Sequence, residues 1–202
     1  MGRLYIIRHG QTVWNKENRL QGWKDAPLTE KGIKQAEALK ERLEEEKLSK
    51  VYSSPLGRTL RTAEIATENK DLDIKKDERI KEINMGKWEG TRSKMIKKRF
   101  PGIYHDFWKN PHEYEPISGE SFYDVKRRTE SFLKEIVSND DGNILVVSHG
   151  CASKLMMSYF EGRPLRDLWK PPELKEGCLN IIDFSDEESK IIKFGDTSFR
   201  ED

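Results

Sequence analysis

Two short apolar segments of this chain each lead into a histidine that is followed by a glycine, and this repeated pattern is the strongest constraint on its fold. The segments are residues 4–7 and 144–147, and the histidines are His9 and His149. Apolar runs of this length with a glycine turn after them are typical of buried strands. In open α/β sheets the carboxyl ends of the strands form the ligand crevice. We therefore expect both imidazoles to lie at one edge of a single sheet.

Amphipathic helices are predicted between the strands, because apolar residues recur at spacings of three and four. Three segments show this spacing: residues 29–46, 122–136 and 152–160. Thr29 is the expected N-cap of the first, and a fourth helix is predicted to begin with Ser54 as cap and Pro55 as its first residue. Four more segments are predicted strands: 51–53, 179–184, 190–194 and, more weakly, 80–85. We interpret residues 100–119, which contain prolines and aromatic residues, as a long loop or lid.

Strands that alternate with helices predict an α/β fold, here a three-layer α/β/α sandwich whose central sheet is mostly parallel with helices on both faces. A chain of 202 residues buries a sizeable core without disulfides or metal, and we expect one domain over residues 1–202. Cys151 and Cys178 lack CxxC spacing and are expected to be buried thiols of a reducing compartment. No apolar run has the length of a signal peptide or a membrane span, so we expect a cytoplasmic protein.

The overall charge of the chain excludes some classes of partner. Lysine and arginine together number 37 and aspartate and glutamate 36, which gives a formal net charge of +1. Proteins that bind nucleic acid or an anionic membrane normally carry a basic excess. We therefore expect a small-molecule partner and neither of these two, while the sequence leaves the oligomeric state open.

Arginines accompany the two histidines and point to a local anion site. Arg8 precedes His9, and Arg58 lies in the first turn of the predicted helix that follows the strand at 51–53. Two histidines and an acid are able to bind zinc, but fixed positive charges repel a cation, whereas guanidinium groups bind phosphate oxygens in pairs. Free backbone N–H groups at Gly10 and at the helix that starts near Gly150 are expected to add to this field. We predict a phosphate site without metal or cofactor.

A series of motifs carries these residues along the first three quarters of the chain. They are Arg8-His9-Gly10-Gln11-Thr12-Val13-Trp14-Asn15, Leu20-Gln21-Gly22-Trp23, Asp25-Ala26-Pro27-Leu28-Thr29 with Gly32, Ser53-Ser54-Pro55-Leu56-Gly57-Arg58-Thr59 with Thr62-Ala63, Glu82-Ile83-Asn84-Met85-Gly86-Lys87-Trp88-Glu89-Gly90, Gly119-Glu120-Ser121 and Ser148-His149-Gly150. In order and spacing these motifs resemble the histidine phosphatase superfamily, also called the phosphoglycerate mutase-like family. The resemblance covers about residues 3–150.

The resemblance implies a role for each matching residue. His9 would be the nucleophile that forms a phosphohistidine, and Glu82 the acid that protonates the leaving group and then activates water. We expect His9 to be neutral, because neighbouring arginines lower its pKa, and His149 to be cationic in the working enzyme. The residues expected to contact the phosphate or the substrate are Arg8, Asn15, Gln21, Gly22, Arg58, His149 and Gly150.

Three classes of function fit these residues. A phosphomonoester hydrolase is favoured, because the Gly86–Gly90 motif and the short spacing between Glu82 and His149 resemble the phosphatase branch of the family. A cofactor-dependent phosphoglycerate mutase is the alternative, and a phospholigand-binding protein without turnover is a third. Among phosphatases, the sequence resembles α-ribazole phosphatases, phosphoserine phosphatases and broad-specificity enzymes, and it does not choose between them.

Overall fold

The computed structural model describes residues 2–138, 142–185 and 188–200. Its six strands are β1 (Gly2–Arg8), β2 (Leu48–Ser53), β3 (Ile74–Lys76), β4 (Asn143–Ser148), β5 (Leu179–Phe184) and β6 (Ser189–Asp196). They form one sheet in the order β3-β2-β4-β1-β5-β6. The first four strands of this order run parallel, and β5 and β6 each run antiparallel to the preceding neighbour. The predicted, mostly parallel sheet is confirmed.

Seven α-helices are present in the described ranges: α1 (Val13–Lys16), α2 (Glu30–Arg42), α3 (Gly57–Ala66), α4 (Ser93–Arg99), α5 (Pro101–Lys109), α6 (Phe122–Ser138) and α7 (Gly150–Glu161). The side chains of β1 show that the helices cover both faces of the sheet. Leu4 and Ile6 pack in a cluster with α6 and α7, and Tyr5 and Ile7 pack in another with α2 and α3. Burial on both faces explains why residues 4–7 of this strand are all apolar. In the described part of the chain, no helix has the length and apolar character needed to cross a bilayer.

Helix α2 begins as its sequence predicts and ends earlier. The Thr29 side chain accepts a hydrogen bond from the Gly32 amide at 3.1 Å, which satisfies one backbone donor of the first turn. The helix ends at Arg42 with Leu43 as C-cap, four residues before the predicted end. Beyond the helix, the Glu46 carboxylate accepts a hydrogen bond from the Tyr5 hydroxyl at 2.5 Å, so this residue joins the connection to the sheet.

The strand predicted at residues 80–85 is wrong. Glu78–Ile80 form a 3-10 turn, and the residues after it belong to no strand. Their polar backbone groups bond to side chains: the Arg128 guanidinium binds the Lys81 and Glu82 carbonyls, and a glutamate accepts from the Asn84 amide. The apolar pattern reflects burial of this segment, and its hydrogen bonds do not come from a neighbouring strand.

Two other predictions about helices are corrected. Ser54 and Pro55 do not begin a helix, because α3 starts at Gly57 with Leu56 as an N-cap that makes no side-chain bond. Residues 100–119 are not a continuous loop, since α5 occupies the first half with Pro101 at its first turn, where the missing N–H costs nothing. The buried Phe107 of α5 packs into a third core cluster that is rich in aromatic residues.

Candidate active site

The register of the sheet brings the two histidines together. β1 and β4 are parallel neighbours in which Arg8 is paired with Ser148, so that each histidine directly follows its strand at the same edge. The His9 amide donates to the Ser148 carbonyl at 3.0 Å. The two ring centroids are 5.3 Å apart, with the planes inclined by 66°. Both rings are buried.

The hydrogen bonds of His9 identify which ring nitrogen carries the proton and which carries the lone pair. Nδ1 lies 2.7 Å from the Gly10 carbonyl oxygen, which can only accept, so Nδ1 carries the proton. Nε2 then holds the lone pair, with which it accepts a hydrogen bond from Nε of Arg58 at 3.3 Å. Burial first, then the charges of Arg58 and Arg8, hold the pKa of His9 well below its ordinary value. The expected neutral imidazole is therefore present, with its lone pair on Nε2.

Arg58 is a fully buried cation that is fixed by several acceptors. Besides the contact with His9, Nη1 donates to the Lys24 carbonyl and to Asp25 Oδ1, both at 2.9 Å, and Nη2 donates to the Gly22 carbonyl at 2.8 Å. Gly22 presents its carbonyl from a left-handed turn, with φ at +57°. These bonds use four of the five guanidinium N–H groups and leave one on Nη2 for a ligand.

Arg8 is held from the C-terminal quarter of the chain. Nη2 contacts Glu176 Oε1 at 2.6 Å, and Nη1 donates to the Leu174 carbonyl at 2.5 Å. The Nε atom of Arg8 is buried and has no hydrogen-bond partner among the described residues. The guanidinium passes about 3.5 Å from the position that a Cβ at Gly150 would occupy, which is an ordinary van der Waals distance.

His149 is oriented by a serine, and its ring is neutral in the free protein. Nε2 lies 2.8 Å from Ser54 Oγ, while Nδ1 is buried and has no partner within the described ranges. Burial is the main cause that lowers the pKa of His149 far below its ordinary value, and the charges of Arg58, His9, Arg128 and Arg8 add to it. The ring is therefore neutral at pH 7 in the free protein, whereas the cationic His149 of the sequence analysis was expected for the working enzyme.

Glu82 reaches the same place from the irregular segment that follows the 3-10 turn. Its Oε2 accepts from the Cys151 amide at 3.2 Å, and its Oε1 accepts from the Ala152 amide at 3.2 Å and from the Ile83 amide at 3.0 Å. The carboxyl thus sits on the first turn of α7, where a helix favours negative charge. Its charge also acts on Arg58, which places the two groups in one electrostatic site.

Several backbone N–H groups that were expected to bind phosphate have acceptors within the protein. The Gly10 amide donates to Thr62 Oγ1 at 3.2 Å, so it is not the free donor that the sequence suggested. The Cys151 and Ala152 amides serve Glu82 and not a ligand. The first turn of α7 therefore positions the acid, and the expected contact of α7 with phosphate is left to Gly150.

Asn15 and Gln21 are joined to each other through Thr12. The Thr12 hydroxyl donates to Gln21 Oε1 at 2.9 Å, and Asn15 Oδ1 accepts from the Thr12 amide at 3.0 Å as part of a capping box on α1. The amide oxygens of both residues are therefore used locally. Their NH₂ groups are left for the predicted role as neutral donors.

The charges of the site match an anion. Arg8 and Arg58 both act on the His9 ring, and each arginine contacts one carboxylate at its outer side. Within the described ranges, no three histidine, cysteine, aspartate or glutamate side chains are grouped as metal ligands would be. A phosphate group offers several oxygens to such converging N–H donors.

A comparison with family sequence models decides the relationship of this chain to known proteins. The model of the histidine phosphatase superfamily (branch 1) matches residues 4–197. The chain belongs to the histidine phosphatase superfamily. The resemblance seen in the motifs is confirmed, and the matched region extends through the C-terminal quarter that holds Glu176.

Individual relatives of this histidine phosphatase cover almost the whole chain. Phosphoserine phosphatase 1 of Hydrogenobacter thermophilus is 33% identical over 98% of this chain and 93% of its own length. A probable phosphoglycerate mutase GpmB of Salmonella arizonae is 34% identical over 96% of this chain and 90% of its own length. The solved structure of YhfR from Bacillus stearothermophilus has a TM-score of 0.95 and 40% identity, and the match covers 98% of this chain and 99% of that one.

Several residues that shape the site were not predicted from the sequence. Ser54 orients His149, and Asp25 and Glu176 hold the two arginines. Glu89 accepts from the amides of Met85, Trp23 and Lys24, and so ties the loop that binds Arg58 to the segment of the acid. Asp25, Ser54 and Glu89 lie inside the family motifs, which was the available signal. Glu176 lies outside them, and no local pattern marks it.

Buried neutral imidazoles predict a loss of stability in mild acid. The unfolded chain takes up protons on His9 and His149 near the ordinary pKa of about 6.5, and the folded protein does not. The unfolded state therefore binds more protons, and the free energy of unfolding falls as the pH drops below about 6.5, by roughly 1.4 kcal/mol per ring at pH 5.5. We expect urea denaturation of His9→Gln at pH 7.5 and 5.5 to show a smaller difference than the wild type, by about this amount. An unchanged difference would contradict the burial of a neutral His9.

Proposed function

We propose that this histidine phosphatase is a metal-independent phosphomonoester hydrolase that acts through a phosphohistidine at His9. One observation carries the proposal. Arg8 Nε and His149 Nδ1 are buried nitrogens that lack a partner among the described residues, and they belong to two groups close to the His9 ring, whose lone pair is on Nε2. Buried polar atoms normally have hydrogen-bond partners. Phosphate oxygens in line with Nε2 would satisfy both atoms.

In the first step, Nε2 of His9 attacks phosphorus while the bond from phosphorus to the ester oxygen breaks. The negative charge spreads over the phosphoryl oxygens, so catalysis depends mainly on positioned donors. Arg8 Nε, the remaining Nη2–H of Arg58 and Nδ1–H of His149 are those donors. His149 donates from Nδ1 as a neutral ring when the Ser54 hydroxyl donates to its Nε2. Gln21 and Asn15 would add neutral donors through their NH₂ groups.

Glu82 supplies and then recovers a proton. Its carboxyl group protonates the leaving ester oxygen in the first step, which releases the alcohol. In the second step the carboxylate takes a proton from water, the water oxygen attacks phosphorus, and the bond to Nε2 breaks. Inorganic phosphate leaves, and His9 and Glu82 return to their initial protonation states. The three amides that bind the carboxyl hold it in place for both steps.

The substrate is a small phosphorylated metabolite, and the relatives suggest candidates within this class. The similarity to a phosphoserine phosphatase supports phosphoserine, and the motifs also support α-ribazole phosphate or a broad range of esters. The net charge of +1 argues against a nucleic-acid or membrane partner. We also propose a cytoplasmic location, because the buried Cys151 and Cys178 are both free thiols.

A phosphoglycerate mutase is the second candidate, because one similar protein carries the name probable phosphoglycerate mutase. That protein has nearly the length of this chain, so the spacing between Glu82 and His149 does not separate the two functions. The test measures two rates in parallel. One is the release of phosphate from phosphoserine, α-ribazole phosphate, phosphosugars and 3-phosphoglycerate, and the other is the isomerisation of 3-phosphoglycerate with bisphosphoglycerate present. We expect the release of phosphate to be faster. A faster isomerisation would reverse the assignment.

Replacement of the proposed nucleophile tests the phosphohistidine. We expect His9→Ala to lower turnover of nitrophenyl phosphate by at least about 10³-fold, since loss of an attacking group removes the covalent route. The wild type should form an acid-labile phosphoenzyme that the variant lacks, and a chelator should not affect the wild type. His105→Ala is the matched control, because that ring is exposed. Remaining activity in His9→Ala, or loss of activity on chelation, would contradict the mechanism.

The dependence on the leaving group tests Glu82. In Glu82→Gln the acid is lost, and an alkyl phosphate such as phosphoserine needs that acid far more than a nitrophenyl ester does. We expect kcat/KM for phosphoserine to fall by about 10²- to 10⁴-fold, and kcat/KM for nitrophenyl phosphate to fall much less. Because kcat/KM covers steps only up to release of the alcohol, the later water step does not obscure the comparison. Equal losses for the two esters would assign Glu82 another role.

A further inference from the structure

The side chain of Arg128 is placed where it controls the segment that carries Glu82. It projects from α6, and all five of its N–H groups are engaged. Nη1 donates to the Arg79 carbonyl at 2.7 Å and to the Lys81 carbonyl at 2.6 Å, and Nη2 donates to the Glu82 carbonyl at 2.9 Å. Nε and Nη2 also form a paired contact with the Glu120 carboxylate, at 2.9 and 3.0 Å.

Glu120 extends this contact to the other end of the same segment. Its Oε2 accepts from the Asn84 amide at 2.9 Å, and its own amide donates to the Asn84 carbonyl at 2.9 Å. The side chains of Arg128 and Glu120 are only 16% and 19% exposed. The pair therefore binds the backbone on both sides of Glu82 from one mostly buried position at the start of α6.

The segment needs such support because it has no regular structure of its own. Residues 81–85 lie between two 3-10 turns and belong to neither a helix nor a strand. The Glu82 carbonyl receives a second bond from Trp23 Nε1 at 2.8 Å, which comes from an exposed side chain. Arg128 contacts two carbonyls of this stretch, those of Lys81 and Glu82, and also the Arg79 carbonyl in the turn before it.

We propose that Arg128, fixed by Glu120, is a positioning residue for the acid Glu82. This inference rests on the proposed function, in which Glu82 protonates the leaving group. The planar guanidinium reaches three carbonyls and a carboxylate at once, which the single ammonium group of a lysine does not reproduce. When the backbone shifts, the carboxyl moves relative to the ester oxygen, while His9, Arg8 and Arg58 stay on their own elements.

The test compares two esters in Arg128→Lys, which keeps the charge and loses the planar group. A misplacement of about 1 Å costs up to roughly 10²-fold in rate. We expect kcat/KM for phosphoserine to fall by about 10- to 100-fold, and kcat/KM for nitrophenyl phosphate to change by less than about threefold. A role in stability alone would lower both esters equally, in proportion to the folded fraction measured by thermal unfolding.

Two further variants make the result specific. Arg127→Lys is the matched control, because this neighbour on α6 is 76% exposed and pairs with Asp124; we expect no change with either ester. Glu120→Gln weakens the support of Arg128 and should give the same selective loss with a smaller size. If Arg128→Lys does not fold, Glu120→Gln alone tests the positioning role of Arg128.

The outcomes separate the inference from the function on which it rests. If Glu82→Gln loses phosphoserine selectively and neither Arg128→Lys nor Glu120→Gln does, the positioning role is wrong and the mechanism stands. If Glu82→Gln slows both esters equally, the acid role and the positioning role fail together. If all three variants lose phosphoserine selectively and Arg127→Lys does not, the inference is supported.

Discussion

Parallel hydrogen bonding between β1 and β4 is the constraint on which the active site depends. Because Arg8 and Ser148 are paired in register, His9 and His149 leave the sheet side by side, with 5.3 Å between their rings. A shift by one residue would turn every side chain of β1 to the opposite face. The different packing of Leu4 and Ile6 on one face and of Tyr5 and Ile7 on the other therefore holds the register, and through it the distance between His9 and His149.

The electrostatics of the site follow from burial and from the pairing of each arginine with one carboxylate. Arg8 and Arg58 keep the His9 imidazole neutral, and their carboxylate partners, Glu176 and Asp25, lie at the outer side of each guanidinium. This arrangement leaves positive charge facing inward, where a phosphate group would lie. The same burial keeps the His149 imidazole neutral in the free protein.

The sequence was informative wherever local pattern and burial agree. The strands at 144–147 and 179–184, the helix cap at Thr29 and the pair of histidines all follow from patterns within a few residues. Glu82 was found through family motifs only. What the patterns missed depends on distant partners: the segment at 80–85 contains Ile80, Ile83 and Met85 but is held by Arg128, and Ser54 precedes a proline as a helix cap would but binds His149. Burial appears in a sequence as periodicity, whereas such pairings do not.

The position of β1 within the sheet has a consequence for how the protein is made. Arg3 pairs with Asn143, Gly2 pairs with Phe184, and the Gly177 amide closes on the carbonyls of Arg8 and His9. Because the chain is synthesised from its N-terminus, β1 is produced long before β4 and β5. Until those strands are made, the apolar residues of β1 have no neighbouring strand to pair with. His9 is therefore synthesised long before His149 and Glu176, which belong to its surroundings in the folded protein.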